Sequence, residues 1–197
     1  MKKNTATYVI LIFLFTLIYS IVRYNIFKEV PWTDLPLFVM NKAVSFAAII
    51  YITTYLLLEK KDHHELGTKI RKYATNLVFI HLTISLIILT PSYYQKFFDG
   101  EKFNLIGQLS LLVGVVALGL MNSLRFSKKL RSKASASFFR KFGTELLLLL
   151  ISLHLFIMGY KGWFTPCEWP GGLPPITLLA FIISIIPLFI KKKESLN

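Results

Sequence analysis

The chain has 197 residues, of which 54% are hydrophobic and 15% aromatic, and a formal net charge of +13. Soluble domains are about 45–50% apolar and scatter those residues at amphipathic spacing. Here the apolar residues come in long blocks almost free of charge, which excludes an ordinary soluble domain. A helix needs roughly 17–25 apolar residues to cross a hydrocarbon core about 30 Å thick. The composition therefore predicts an all-α integral membrane protein.

Six apolar blocks are long enough to cross a bilayer. In chain order they are Ala6–Val22, Leu37–Leu58, Tyr73–Thr90, Phe103–Leu124, Phe142–Tyr160 and Pro174–Ile190. The first follows Lys2 and Lys3, as in a signal peptide, but it is too long for the usual apolar region and no small-residue cleavage site follows it. We interpret it as a retained anchor helix. The prediction is one domain over residues 1–197, a six-transmembrane-helix bundle.

Basic residues concentrate in alternate connecting segments. About 17 of the 23 lie in four places, namely Lys2–Lys3, Lys60–Lys72, Arg125–Lys141 and Lys191–Lys193. The intervening segments hold about six, with five acids beside them. This alternation follows the positive-inside rule and predicts that both termini are cytoplasmic, in a multi-pass protein of the cytoplasmic (inner) membrane. We interpret the positive charge as a topology signal that also attracts anionic lipid, rather than as a nucleic-acid-binding surface. The alternative is that it binds an acidic or phosphate-bearing electron donor.

Several kinds of redox site are excluded by what the chain lacks. Cys167 is its one cysteine, so the chain forms no internal disulfide and no multi-thiolate iron–sulfur or zinc site. The longest polar loop has about 17 residues, and no G-x-G-x-x-G phosphate motif occurs. A nicotinamide or large flavin domain would therefore belong to a separate partner.

Two of the four histidines, His81 and His154, lie inside predicted spans. Their blocks, the third and the fifth, run in the same direction. At 1.5 Å per residue, His81 stands roughly 13 Å and His154 roughly 19 Å from the cytoplasmic entry. An imidazole in hydrocarbon needs a partner, which is either a hydrogen bond within the bundle or a shared metal ion. Two imidazoles on one haem iron leave no open position, which suits electron transfer rather than oxygenation.

The remaining polar and small residues have simpler interpretations. His63 and His64 are adjacent and point in different directions, so we interpret them as a solvated pair in a cytoplasmic loop. Glu145 lies about one turn inside the fifth block, and we interpret it as an interfacial carboxylate. The alternative is that it transfers a proton or contacts a quinone. Gly114 and Gly119 in the fourth block predict close helix approach.

Three stretches resemble the ferric-reductase-like transmembrane domain. They are Asn41-Lys42-Ala43, Arg71-Lys72-Tyr73 leading to Phe79-Ile80-His81, and Phe138-Phe139-Arg140 leading to Leu153-His154-Leu155-Phe156-Ile157-Met158-Gly159. The resemblance covers nearly the whole chain. The family includes ferric reductases, NADPH oxidases, six-transmembrane metalloreductases and the haem-binding subunit of bacterial periplasmic methionine-sulfoxide reductase. It implies haem b with His81 and His154 as axial iron ligands, in an oxidoreductase or an electron-transfer subunit of one.

The sequence departs from this family at the inner ligand pair. Many members carry two histidines on each of the third and fifth helices, whereas Thr68 and Lys141 stand thirteen residues before His81 and His154. The outer pair alone remains, which is similar to the single-haem metalloreductases. A flavin or quinone in the vacated inner half is one hypothesis, with Lys141, Arg140 and Lys72 near its phosphate or headgroup.

The resemblance further implies a path for electrons. They would pass from a cytoplasmic flavoprotein or a membrane quinol to an outer-face acceptor, either ferric iron or a periplasmic redox partner. The alternative is a non-redox six-helix transporter or assembly subunit, in which the two histidines form hydrogen bonds only.

Overall fold

The computed structural model describes the backbone of residues 2–61, 63–127 and 134–190, and the side chains of 5–61, 63, 65–124 and 142–190. Seven α-helices form this part of the chain. They are α1 (Lys2–Ile21), α2 (Met40–Lys60), α3 (His64–Ile87), α4 (Pro91–Tyr94), α5 (Leu105–Ser127), α6 (Ala134–Gly159) and α7 (Ile176–Phe189). One two-stranded hairpin, β1 (Phe98–Asp99) with β2 (Lys102–Phe103), pairs Phe98 with Phe103.

Five helical segments of the described chain are long and apolar enough to cross a membrane. They are Thr5–Phe27, Trp32–Lys60, Leu105–Leu124, Phe142–Gly162 and Pro170–Phe189. A sixth, made of Glu65–Ile87 and Pro91–Phe97, meets the same criterion when its two parts are taken together across a 112° bend. Large apolar side chains on the outside of α1, such as Leu11 and Ile18, are 58% and 60% exposed. Contiguous apolar surface of this kind suits lipid rather than water.

α2 is the central helix of the bundle. It packs against α1, α3 and α7, while α6 packs against α5 and α7. Small residues of α2, Ala43, Ala47 and Ala48, are at most 2% exposed and let the neighbouring helices approach. Among the described residues, neither α3 with α5 nor α3 with α6 is an extensively packed pair. The bundle therefore has an internal gap between α3 on one side and α5 and α6 on the other.

One end of the bundle is closed by short irregular segments, and we call it the capped end. It consists of residues 22–39, 88–104 and 160–175. A π-helical turn, Val22–Phe27, continues α1 and brings the Arg23 guanidinium to the carbonyl oxygen of Leu173, to which Nη1 donates. The Tyr19 hydroxyl donates to the Pro174 carbonyl at 2.7 Å. These bonds satisfy the carbonyls of Leu173 and Pro174, which lie outside any helix, just before α7.

The half of the bundle away from the capped end is filled by apolar side chains. Ile70, Leu120 and Leu148 belong to a buried cluster that also includes Tyr51 and Leu56. Lys60 closes this end, because its Nζ, on a side chain that is almost fully buried, donates to the last carbonyls of α7.

Two helices begin well before their apolar blocks. α3 begins at His64, not near Tyr73, and α6 begins at Ala134, not at Phe142. The segment 64–72, which we expected to belong to a loop, is therefore helical. Residues 134–141 are helical as well, in agreement with a surface helix, which was one of the two forms expected for Ser127–Lys141. The expected end of the third span at Pro91 is confirmed, since α3 ends at Ile87 and Pro91 starts α4.

Candidate functional site

A cavity of about 600 Å³ lies in the gap between α3 and the α5–α6 pair. Its walls are mainly apolar, and it runs from the middle of the bundle to the capped end. The residues that line it deepest in the bundle are Ile52, Val78, Met121 and Leu147. His81 and His154 both line it. The structure therefore brings the two predicted site residues to a single cavity of the size that holds a small-molecule ligand.

His81, on α3, is held by the side chain of Asn41 on α2. The Asn41 amide is 1% exposed, and its Nδ2 donates to Ser85 Oγ at 2.9 Å and to the Tyr94 hydroxyl at 3.2 Å. This assignment turns Oδ1 toward His81, where it lies 2.7 Å from Nδ1. Because an amide oxygen only accepts hydrogen bonds, His81 Nδ1 carries the proton and donates.

His154, on α6, is held by the backbone of α5. Its Nδ1 lies 2.8 Å from the carbonyl oxygen of Ser110, which is also an acceptor only, so Nδ1 again donates. A Cβ atom on Gly114 would lie 3.2 Å from His154 Cε1 and 3.3 Å from Nδ1. The absence of a side chain at Gly114 is what lets the imidazole lie against α5.

The two imidazoles share one protonation pattern. In each ring Nδ1 donates to an oxygen, so Nε2 carries the lone pair. Within the described residues, no hydrogen bond involves either Nε2 atom. A metal-ligating histidine commonly donates its other N–H in just this way, which fixes the ring and raises its basicity. Both side chains are therefore prepared to ligate a metal through Nε2.

No protein-only chelate accompanies the two histidines. Among the described residues, no group of three or more His, Cys, Asp and Glu side chains could hold a metal ion.

Other residues singled out in the sequence lie away from the cavity. Glu145 is half-exposed, and its Oε1 lies 3.9 Å from Lys60 Nζ. Lys72 and His63 are exposed. Thr68 is half-buried in α3, four turns from His81 and outside the residues that line the cavity. The side chains of His64, Arg140 and Lys141 lie outside the described residues.

Two contacts of the site were not predicted from the sequence. A side-chain pattern cannot predict the contact with the Ser110 carbonyl, because every residue has the same backbone carbonyl group. Gly114 was expected to allow helix approach, and it does so against the His154 ring. The same expectation is wrong for Gly119, where a Cβ would meet nothing within 4 Å.

The fold and the apolar spans define an all-α, multi-pass membrane protein. Comparison with protein-family models and with curated proteins gives no match for this chain. The cavity and its two histidines are therefore the features of the molecule that bear on its function.

Proposed function

We propose that the protein is a single-haem, b-type membrane cytochrome in which His81 and His154 are the axial iron ligands. The observation that carries the proposal is the pair of imidazoles on one apolar cavity, each with Nδ1 engaged and Nε2 left to ligate. A haem iron takes four ligands from the porphyrin and needs two from the protein, which is the number available here. Bound in this way, haem b would supply a one-electron carrier.

The residues present fit this cofactor in shape as well as in donor chemistry. Apolar side chains of α2, α3, α5 and α6 line the middle of the cavity and would exclude water from a large planar ring. Asn41 and the Ser110 carbonyl fix the two imidazole tautomers before any ligand binds. A preorganised pair of ligands needs little rearrangement during electron transfer, which favours that role over a structural one.

Buried apolar side chains fill the half of the bundle away from the capped end, which is consistent with a single haem. Ile70 and Ala74 of α3 and Leu148 of α6 pack there in the buried cluster. A flavin or quinone with Lys72 near its phosphate or headgroup stays a prediction for that half. The electron donor we propose is a separate cytoplasmic flavoprotein or a membrane quinol, and the acceptor is ferric iron or a redox partner at the outer face.

The proposed orientation follows from charge. In the orientation we propose, six spans, with α3 and α4 as the third, put both termini on the same side of the cytoplasmic membrane. That side is the cytoplasm, and the capped end faces outward. The basic residues at the junction of α2 and α3, from Lys60 to Lys72, lie at the opposite end of the bundle, in keeping with the positive-inside rule.

The test is a reduced-minus-oxidised absorbance spectrum of the purified protein, expressed with an ample supply of haem precursor. We expect the α and Soret bands of a low-spin b-type haem at about one haem per chain. His81→Ala and His154→Ala should each remove the low-spin spectrum, because each removes one axial ligand.

The matched control is His63→Ala, which changes an exposed histidine away from the cavity and should leave the spectrum intact. Size-exclusion chromatography establishes that each variant is folded. Absence of haem from the folded wild-type protein would overturn the proposal and favour a non-redox membrane protein. A low-spin spectrum that survives in both histidine variants would show that other residues ligate the iron.

A further inference from the structure

Basic residues of the capped end converge on the cavity. The capped end and the adjoining first turn of α2 together hold six Lys and Arg residues, and five of them line the cavity, namely Arg23, Lys28, Lys42, Lys96 and Lys161. We call these five the basic cluster. Lys102 is the sixth and is not among the lining residues. Of the five acids at the same end, Glu168 lines the cavity, while Glu29, Asp34, Asp99 and Glu101 do not. The mouth of an otherwise apolar cavity is therefore strongly positive.

Arg23 is the most deeply buried member of the basic cluster. It is 6% exposed, and Nη1 donates to the carbonyl of Leu173. Its Nε is buried and has no hydrogen-bond partner. A buried guanidinium N–H is rarely left unpaired, and it pairs best with a carboxylate or phosphate oxygen. Arg23 thus has an unused donor where an anion would complete its bonding.

The ammonium groups of Lys42 and Lys96 have only weak electrostatic partners. Lys42 Nζ lies 4.7 Å from the ring centroids of both Phe38 and Tyr94. Lys96 Nζ donates to the Met158 carbonyl. The ion pairs recorded among the described residues, Lys60–Glu145 and Lys69–Glu65, lie at the other end of the bundle. Aromatic faces and a neutral carbonyl compensate an ammonium less well than a carboxylate does.

We infer that the basic cluster is a carboxylate-binding subsite, which fixes the orientation of an amphiphilic ligand with an apolar body inside the cavity. The identity of that ligand rests on the proposed function, because haem b carries both of its propionates on one edge of an otherwise apolar ring. The propionates then face the capped end. In the reverse orientation two carboxylates would lie beside Ile52, Val78 and Leu147, and no Lys or Arg is among the described residues that line this part of the cavity.

The experiment compares two ligands that differ only in their carboxylates. Protein purified from cells starved of haem precursor is titrated with haemin and with haemin dimethyl ester, and the Soret band gives both dissociation constants. We expect wild-type protein to bind haemin at least about tenfold more tightly than the ester, as one charge-assisted contact or more would give. Lys42→Met and Arg23→Gln should each weaken haemin binding about tenfold and leave ester binding unchanged.

Lys102→Met is the matched control, since it removes the one base of the capped end that does not line the cavity, and it should change neither constant. If wild-type protein binds haemin and the ester equally, or if the cluster variants weaken both ligands alike, the carboxylate subsite is overturned while the haem proposal stands. If folded wild-type protein binds neither ligand, both proposals fall. Redox activity is not needed for any of these outcomes.

Discussion

The backbone of α5 at Gly114 forms one face of the His154 site. A Cβ at this position would approach Cε1 to 3.2 Å, closer than ordinary van der Waals contact. The His154 ring is also fixed by the hydrogen bond from its Nδ1 to the carbonyl of Ser110, which lies one turn before Gly114 in α5. The imidazole therefore has little freedom to move away from a larger side chain.

Gly114→Leu should weaken haem binding at least about tenfold, because the added branches occupy space that the His154 ring now fills. Haem content per chain and the Soret titration measure this. Gly119→Leu is the matched control, since it places the same side chain on the same helix where nothing lies within 4 Å. Equal haem content in the two variants would contradict the geometry described for His154.

Asn41 has a comparable role for His81, although through a side chain. It joins α2, α3 and α4, because its amide contacts His81, Ser85 and Tyr94. Tyr94 reaches the amide because the chain turns sharply at Pro91 and directs α4 back over the end of the bundle. A proline at the first position of a helix is favourable, since its missing N–H would have no partner there.

At the scale of the helices, hydrogen bonds from Lys60 connect the end of α2 to the end of α7. Its Nζ donates to the Pro187 carbonyl at 2.7 Å and to the Ile190 carbonyl at 3.0 Å. The Pro187 carbonyl also accepts from the Ile190 N–H at 3.4 Å, so Lys60 adds a second, charged donor at the end of α7. The Lys60 side chain is 10% exposed, so water competes little for these carbonyls.

Lys60→Met should lower the free energy of unfolding by about 1.5–3 kcal/mol, because it removes two hydrogen bonds from a charged donor at a site where water competes little. Thermal unfolding of the detergent-solubilised protein measures the effect as a lower midpoint. Lys69→Met removes a lysine from the exposed pair with Glu65 and should leave the midpoint unchanged. A midpoint shift of the same size in both variants would show that Lys60 does not stabilise the contact with α7.

For the whole molecule, the testable feature is the direction in which the bundle crosses the membrane. Cys167 is the one cysteine of the chain, and it is exposed at the capped end. A membrane-impermeant maleimide should label it in spheroplasts without lysis, because the capped end faces outward in the proposed topology.

Cys167→Ser removes the labelling. Adding Lys61→Cys to that variant places a thiol at an exposed position between α2 and α3, which should react only after the membrane is opened. Labelling of Cys167 only after lysis, with Lys61→Cys reactive in intact spheroplasts, would reverse the topology.

Much of the fold follows from apolar patterning. Five of the predicted spans agree with helices of the structure, because an apolar run of this length has one low-energy solution in lipid, in which a helix satisfies every backbone group. The ends of the helices are less predictable from sequence. The helical starts at His64 and Ala134 and the π-helical turn at Val22–Phe27 depend on hydrogen bonds and contacts that hydropathy does not record.

The sequence by itself determined that this is a helical membrane protein and that His81 and His154 are its intramembrane histidines, since both facts follow from residue type and chain position. Tertiary structure alone decided that the two imidazoles line one cavity, that Asn41 and the Ser110 carbonyl orient them, and that five basic residues surround its mouth. The physical reason is that these contacts join residues far apart in the chain, so they depend on how α2, α3, α5 and α6 pack.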